Sequence, residues 1–453
     1  MRVSQRRSAA AFGLAVIAVF IFNVRVPAQQ KMDGIARQQA MSMLKNVKGA
    51  IKKDYYDANF GGMDLEARFK TAEEKLKSTD NLGQAFAVIA QAVADLKDSH
   101  TRFYPPSRPA ITEYGWRMKM FGNTPLITFV KEKSDADAKG LKVGDEVLKM
   151  NGFRPTRSEM WKMIYYYQTL NPQIKLVLDV KSPNGETRQL EIFTKITKLK
   201  TIVNLNDSMD LNEAFREGDK LAGSNRHYFK DMGATTIWKM PDFVFEPSDV
   251  DRLMQNAAGK QTLIFDLRGN GGGYVVTLEK LAGYFFEKET KIADLKARKP
   301  LDPQLAKPQG GKLFKGKVIV LLDANSASAA EIFGRLMQIE KRGIVLGDVS
   351  AGAVMQSRGV GFDAGSATVI NYGMNLTMAD VIMTDGKSLE HVGVTPDELM
   401  VPSGADLANR RDPVLARALE LAGLTVSADA AGKIFPVEKE ITRTSNLAIQ
   451  LEF

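Results

Sequence analysis

Lys317–Gln338 reads KVIVLLDANSASAAEIFGRLMQ. The unbroken apolar run Val318–Leu322 predicts a buried strand. A short polar turn, Asp323–Ser326, ends it, and an amphipathic helix is expected to begin near Ala327. Ser328 then lies at a strand-to-helix turn, where unpaired N–H groups and the positive end of the helix dipole face outward. Acyl transfer needs a nucleophilic hydroxyl in such a place, with donors beside it for a developing oxyanion. A plain helix cap by Ser326 or Ser328 fits the same residues. The rest of the chain has to decide between the two.

The chain has 453 residues, enough for about two to four domains. Hydrophobic and charged residues make up 44% and 25% of it, ordinary values for a chain that builds a sizeable core. Residues 1–28 differ from the rest. Arg2, Arg6 and Arg7 precede the apolar run Ala9–Val24, and Val26-Pro27-Ala28 offers small residues for cleavage. This pattern predicts a secretory signal and an extracytoplasmic (periplasmic or secreted) mature chain. The alternative is an uncleaved anchor, which would hold the protein near a membrane. No cysteine is present, which excludes a disulfide framework. Net charge falls from +9 to +5 once the four arginines of the signal are gone, and the remaining charge is dispersed. There is no basic stripe with interleaved aromatics, so nucleic acid is not expected as a partner.

Residues 29–110 predict a helical N-terminal domain, with amphipathic stretches at Met41–Lys53, Asp64–Lys77 and Asn81–Leu96. It ends in Asp98-Ser99-His100-Thr101-Arg102-Phe103-Tyr104-Pro105-Pro106. His100 is one of only three histidines, with His227 and His391. A serine hydrolase needs a base, so the candidates are few. Residues 111–200 turn to strand patterns at Pro125–Val130, Lys175–Val180 and Arg188–Phe193. Between them, Gly140–Gly152 (GLKVGDEVLKMNG) combines glycine turns, a short strand and an Asn-Gly hairpin turn. From Gly233 the pattern becomes α/β. A strand at Gln261–Leu267 runs into DLRGNGGG (Asp266–Gly273), followed by a helix from about Val275 to Phe286. This loop lacks the spacing of a dinucleotide fingerprint and the lysine of a P-loop, so no cofactor is implied. Bare glycine N–H groups near a reacting carbonyl are its better use.

Gly140–Gly152 resembles the PDZ domains of secreted bacterial proteases, which bind extended peptides by strand addition. With the DLRGNGGG loop, the NSASAAE turn and Asp385–Asp397 (DGKSLEHVGVTPD), the chain resembles the C-terminal processing (tail-specific) peptidases and their relatives with a tricorn-type core. The motifs come in the family's order and cover roughly residues 35–425. The resemblance implies a multidomain α+β and α/β chain. Its parts are a helical domain at 29–110, a PDZ-like domain at 111–200, a ββα-type peptidase core related to the crotonase-like spiral at 201–425, and a tail at 426–453.

Residue by residue, the resemblance makes Ser328 the nucleophile and the N–H groups of Ala329 and Gly273, or Gly272, the oxyanion hole. One departure stands out. Where the Ser–Lys members carry their lysine, this chain has Ala353, and no lysine occurs between Lys341 and Lys387. The tricorn-like Ser-His-Ser-Glu arrangement matches instead, with His100 as base and Ser99 and Glu390 behind it. Adjacent residues in a straight strand point to opposite faces, so a Ser99–imidazole bond requires a turn or an indirect path. A solvated loop carboxylate is the other reading of Glu390. Asp266 and Arg268 are expected to brace the glycine loop, and Glu331 to complete a capping box.

The expected function is a secreted serine endopeptidase acting near the C-terminal tails of proteins or peptides, without metal or cofactor. A non-catalytic peptide- or ligand-binding member of the same fold, or an esterase for small acyl groups, are the alternatives.

Overall fold

The computed structural model describes residues 32–108, 110–198, 227–364 and 370–436. The expected signal at 1–28 and the apolar Leu447–Phe453 lie outside the described residues. No described helix is long and apolar enough to cross a membrane.

The run Val318–Leu322 is buried throughout and sits inside a six-stranded sheet. In order, the strands are Glu398–Leu399, Gly343–Gly347, Lys317–Leu322, Thr262–Asp266, Thr235–Lys239 and Tyr228–Met232, with only the last antiparallel to its neighbour. Both faces are covered, which is why its inner strands read as continuous apolar runs. On one face Ile264, Ile319, Leu321 and Leu346 pack on Val414, Leu415, Ala418 and Leu419 of the helix Pro413–Leu421. On the other, Leu263, Phe265, Val318 and Val320 pack on the helices Pro247–Met254, Val275–Ala282 and Ala329–Ile339. The start of the expected tail, residues 426–435, also joins this core through Val426, Ile434 and Phe435.

The three N-terminal helices, Gly34–Asp54, Leu65–Lys77 and Leu82–Ala94, are capped by Asp33, Asp64 and Asn81. They do not close a core of their own. Their buried Val47, Ile51, Phe69, Leu76 and Ile89 share one cluster with Phe103, Tyr372, Met374 and Leu376. The last three belong to Ile370–Met383, which pairs with Met355–Ala364 and, at its other edge, with Arg102–Tyr104 and Thr290–Lys296. The helical layer therefore rests on an antiparallel sheet built from a distant part of the chain.

Residues 110–198 form a β domain. A five-stranded antiparallel sheet runs Trp116–Phe121, Thr124–Val130, Glu146–Met150, Lys175–Lys181 and Thr187–Phe193. Asn151 and Gly152 both have positive φ and close the expected two-residue hairpin turn between Met150 and Phe153. Asp145 of the glycine-rich motif is buried and takes Arg188 at 2.6 Å and the Ser182 hydroxyl at 2.9 Å. Gly144 lies directly against the rest of the molecule, since a Cβ there would stand 2.3 Å from the Gly404 carbonyl oxygen. Ala110–Glu113 pairs with Lys195–Lys198, drawing the two ends of the domain together, and Arg157 tethers it to the core, reaching Asp348 at 3.1 Å and the Ser350 carbonyl at 3.3 Å.

Phe103 is fully buried between the helical layer and the long hairpin, with ring centroids 6.1 Å from Phe86 and 6.2 Å from Tyr372. Phe103→Ala should cost about 3–5 kcal/mol, the usual range for removing a buried phenyl ring. Denaturant unfolding followed by far-UV circular dichroism checks this. One destabilised transition is expected, and a separate early loss of helix would show that the helical layer is an independent domain.

Candidate active site

The turn after Lys317–Leu322 is held from three sides. Ser326 caps no helix. It is fully buried, and its hydroxyl donates to the Leu267 carbonyl at 2.8 Å. Asn270 of the glycine loop accepts from the Ala327 N–H at 2.9 Å, and its side chain accepts from the Gly272 N–H at 2.9 Å. Ser328 is the N-cap of Ala329–Ile339, with φ 53° and ψ −120°. A non-glycine residue in that region carries strain on the order of 1–3 kcal/mol, and such residues concentrate at functional sites. A sharp, strained strand-to-helix turn is also how nucleophilic serines are presented in other hydrolase folds.

Glu331 fixes this turn. Its carboxylate is buried and accepts from the Ser328 N–H (3.0 Å), the Ser350 hydroxyl (2.5 Å), the Gly352 N–H (2.8 Å) and the Ala353 N–H (2.9 Å). Burial pushes its carboxyl up to about 7, against the pull of these donors. The expected capping contact is therefore one of four bonds to this carboxylate, and the other three join the serine turn to the loop 350–353.

The glycine loop closes against the same turn. A Cβ on Gly272 would stand 2.6 Å from the Ser328 Cβ and 3.0 Å from the Ala329 nitrogen, so only glycine permits this approach. The Gly272 N–H is used by Asn270. The N–H groups of Gly273 and Ala329 have no acceptor among the described residues. Below the loop, Arg268 bonds both Asp266 (2.7 and 2.8 Å) and Asp412 (2.9 and 2.7 Å), which caps Pro413–Leu421. This is the expected brace, extended to a helix that sequence reasoning did not connect to it.

Ser99, His100 and Glu390 come together. The Glu390 carboxylate accepts from the Ser99 N–H at 2.6 Å and the Ser99 hydroxyl at 2.8 Å. The Ser99 oxygen is 2.7 Å from His100 Nδ1. Because the Ser99 proton goes to the carboxylate, Nδ1 must carry the proton in this contact, which leaves Nε2 bare. The bond between neighbours is made possible by Asp98. Its Oδ1 accepts from the N–H groups of His100 (2.9 Å) and Thr101 (2.6 Å) and from the Thr377 hydroxyl (2.5 Å), bending the chain at Ser99. Tyr55 donates to the other oxygen at 3.0 Å. Strand pairing of Arg102–Tyr104 to Gly373–Asn375 then fixes the segment. Glu390 is not a solvated loop carboxylate, since its side chain is only 10% exposed and burial raises its pKa.

Burial lowers the His100 pKa to about 4, with the Arg102 charge acting the same way and Asp98 opposing. At neutral pH the imidazole is uncharged and able to accept a proton. No hydrogen bond joins His100 to Ser328 among the described residues. The two halves are joined through backbone instead. The Ala353 carbonyl accepts from the Ser328 N–H at 2.9 Å, and the next N–H, that of Val354, donates to Glu390 at 2.9 Å. Sequence reasoning missed Asp98, Thr377, Ser350 and this peptide unit. Only Asp98, an Asx residue just before the histidine, left a local signal.

Among the described residues, no group of three or more His, Asp or Glu side chains could hold a metal ion.

Residues 234–400 match the profile of Peptidase family S41. The chloroplastic C-terminal processing peptidase of Tetradesmus obliquus is 22% identical over 402 residues, covering 85% of this chain and 80% of that protein. The tail-specific protease of Haemophilus influenzae is 28% identical over 238 residues, which is 49% of this chain and 32% of that longer protein. Among solved structures, mature CPAF superposes with a TM-score of 0.61 at 14% identity, covering 83% of this chain and 94% of that one. Residues 234–400 are thus a family S41 core, and the protein is a serine peptidase homologous to the C-terminal processing peptidases.

Proposed function

We propose that this protein is an extracytoplasmic serine endopeptidase that cuts polypeptides near their C-terminal tails, with Ser328 as nucleophile and His100 as base. The observation that carries the reading is the hydrogen-bonded series Glu390–Ser99–His100, linked by the Ala353–Val354 peptide to the strained Ser328 turn. The absence of a lysine at Ala353 supports a histidine rather than a lysine base.

In this mechanism the Ser328 oxygen attacks the scissile carbonyl carbon while His100 Nε2 takes its proton. The oxyanion of the tetrahedral intermediate accepts from the N–H groups of Gly273 and Ala329. His100 then gives the proton to the leaving amine, the C–N bond breaks, and a water activated by the same base releases the acyl group. Ser99 and Glu390 hold the Nδ1–H tautomer and support the imidazolium while it exists. A base–nucleophile bond that tightens only when substrate arrives is common in unliganded sites.

The β domain has the pattern expected of a PDZ module. Its edge strand Trp116–Phe121 has no strand paired on its outer side among the described residues, so a substrate tail can add there as a further strand. The N-terminal signal pattern supports an extracytoplasmic address.

A fluorophosphonate probe tests the nucleophile. It should label the wild-type protein, and labelling should fall at least about a hundredfold in Ser328→Ala and His100→Ala, as loss of an essential nucleophile or base demands. Equal labelling of the folded Ser328→Ala protein would overturn the assignment.

The pH profile tests the base. The folded His100 pKa is depressed from 6.5 to about 4, so the imidazole stays neutral and active down to that range. The acidic limb of kcat/KM should therefore lie near pH 4 rather than near 6.5. Arg102→Ala removes a charge that lowers the pKa, so the limb should move upward. Protonation of His100 also opposes folding, so its contribution to stability should fade as pH drops from 6.5 through about 4.

A further inference from the structure

Between the β domain and the carboxyl ends of the central parallel strands lies a cleft of about 290 Å³. Its basic and acidic side chains do not balance. Asp266 and Asp412 are both bound to Arg268, and Asp348 is taken up by Arg157 and the Gly122 N–H. Asp323 accepts from the N–H groups of Gly269 and Asn325. Lys119, Lys239 and Arg410 also line the cleft and have no ion-pair partner among the described residues. Lys239 is near enough to lower the Asp266 carboxyl, but forms no bridge to it.

Lys119 lies at the middle of the edge strand Trp116–Phe121, and its ammonium stands 3.1 Å from the position a Cβ on Gly269 would take. Gly269 opens the loop that reaches Gly272 and Gly273 beside Ser328. One wall of the cleft is therefore the strand offered to a substrate tail, and another begins the loop that flanks the nucleophile. A chain added along Trp116–Phe121 would pass side chains at alternate positions over the unpaired cations.

We propose that this cleft selects substrate tails bearing carboxylates at alternate positions, with Lys119 and Arg410 as specificity-determining residues. The proposal rests on the peptidase reading above, and it assigns the substrate an acidic character that the fold alone does not imply. Uncompensated cations in a narrow, partly enclosed cleft attract anions more strongly than the same charges on an open surface.

The test uses the full-length protein carrying Ser328→Ala, so that tail recognition is read by binding whether or not Ser328 is the nucleophile. Fluorescein-labelled peptides of about twelve residues, with Glu or with Gln at alternate positions near the C-terminus, are titrated by anisotropy. The Glu peptide should bind about five- to tenfold more tightly. The gap should shrink as NaCl rises from about 50 to about 500 mM, because exposed charges are screened. Adding Lys119→Gln and Arg410→Gln should bring the ratio close to one. A control with Lys77→Gln and Lys315→Gln, both away from the cleft, should keep it. Equal affinities for the two peptides, or loss of preference in the control as large as in the cleft variant, would overturn the proposal. Failure of fluorophosphonate labelling with the Glu preference intact would instead remove the catalytic reading and leave the cleft.

Discussion

The geometry of this site depends on one peptide unit. The Ala353 carbonyl holds the Ser328 N–H, and the Val354 N–H holds the Glu390 carboxylate. A hydrogen bond to a charged group contributes about 1.5–3 kcal/mol and fixes direction as well as distance. Because the peptide is planar, its two bonds point in nearly opposite directions. Setting one half of the site therefore sets the other. Glu331 in turn grips the Ser350, Gly352 and Ala353 donors, so the loop cannot shift without stripping three hydrogen bonds from a buried carboxylate.

That arrangement explains how His100 and Ser328, 228 positions apart, are held by one connected set of hydrogen bonds. His100 is carried by the turn between the third N-terminal helix and Arg102–Tyr104. The strand is paired to Ile370–Met383, and the helices lie on the same strand from above. The helical layer is thus part of the scaffold of the site. Its large buried residues place the bend at Ser99, and Asp98 shapes it.

Much of the central sheet was legible in sequence, because buried parallel strands and their following helices have strong local patterns. Val318–Leu322, the glycine loop and the Ser328 turn are all local signals. The long hairpin was not. In Ile370–Met383 the even residues Tyr372, Met374 and Leu376 face the helices, whereas the odd residues Val381 and Met383 face the main core. A bulge opposite Gln356 and Ser357 switches the parity, so neither half shows the alternation of a whole strand. The Ser99–His100 bond was hidden for a similar reason. Strand geometry forbids it, and only the Asx turn at Asp98 creates it. The Ala353–Val354 bridge uses backbone atoms alone, which residue identity cannot report.

The small side chain of Ala353 then acquires a physical meaning under the proposed mechanism. An ammonium at that position would put a cation into a loop already stapled to a buried glutamate and joined through Val354, Glu390 and Ser99 to a neutral imidazole whose low pKa reflects burial and the Arg102 charge. A second cation would depress the imidazole further and weaken it as a base, since a base whose pKa falls far below working pH takes protons poorly. A methyl group leaves the backbone free to bridge the two halves and adds no charge. If His100 is the base, as proposed, the small residue at 353 is the other side of the same electrostatic solution. In the proposed mechanism the serine is activated from the helical layer, and the loop 350–354 serves as the frame that ties the two together.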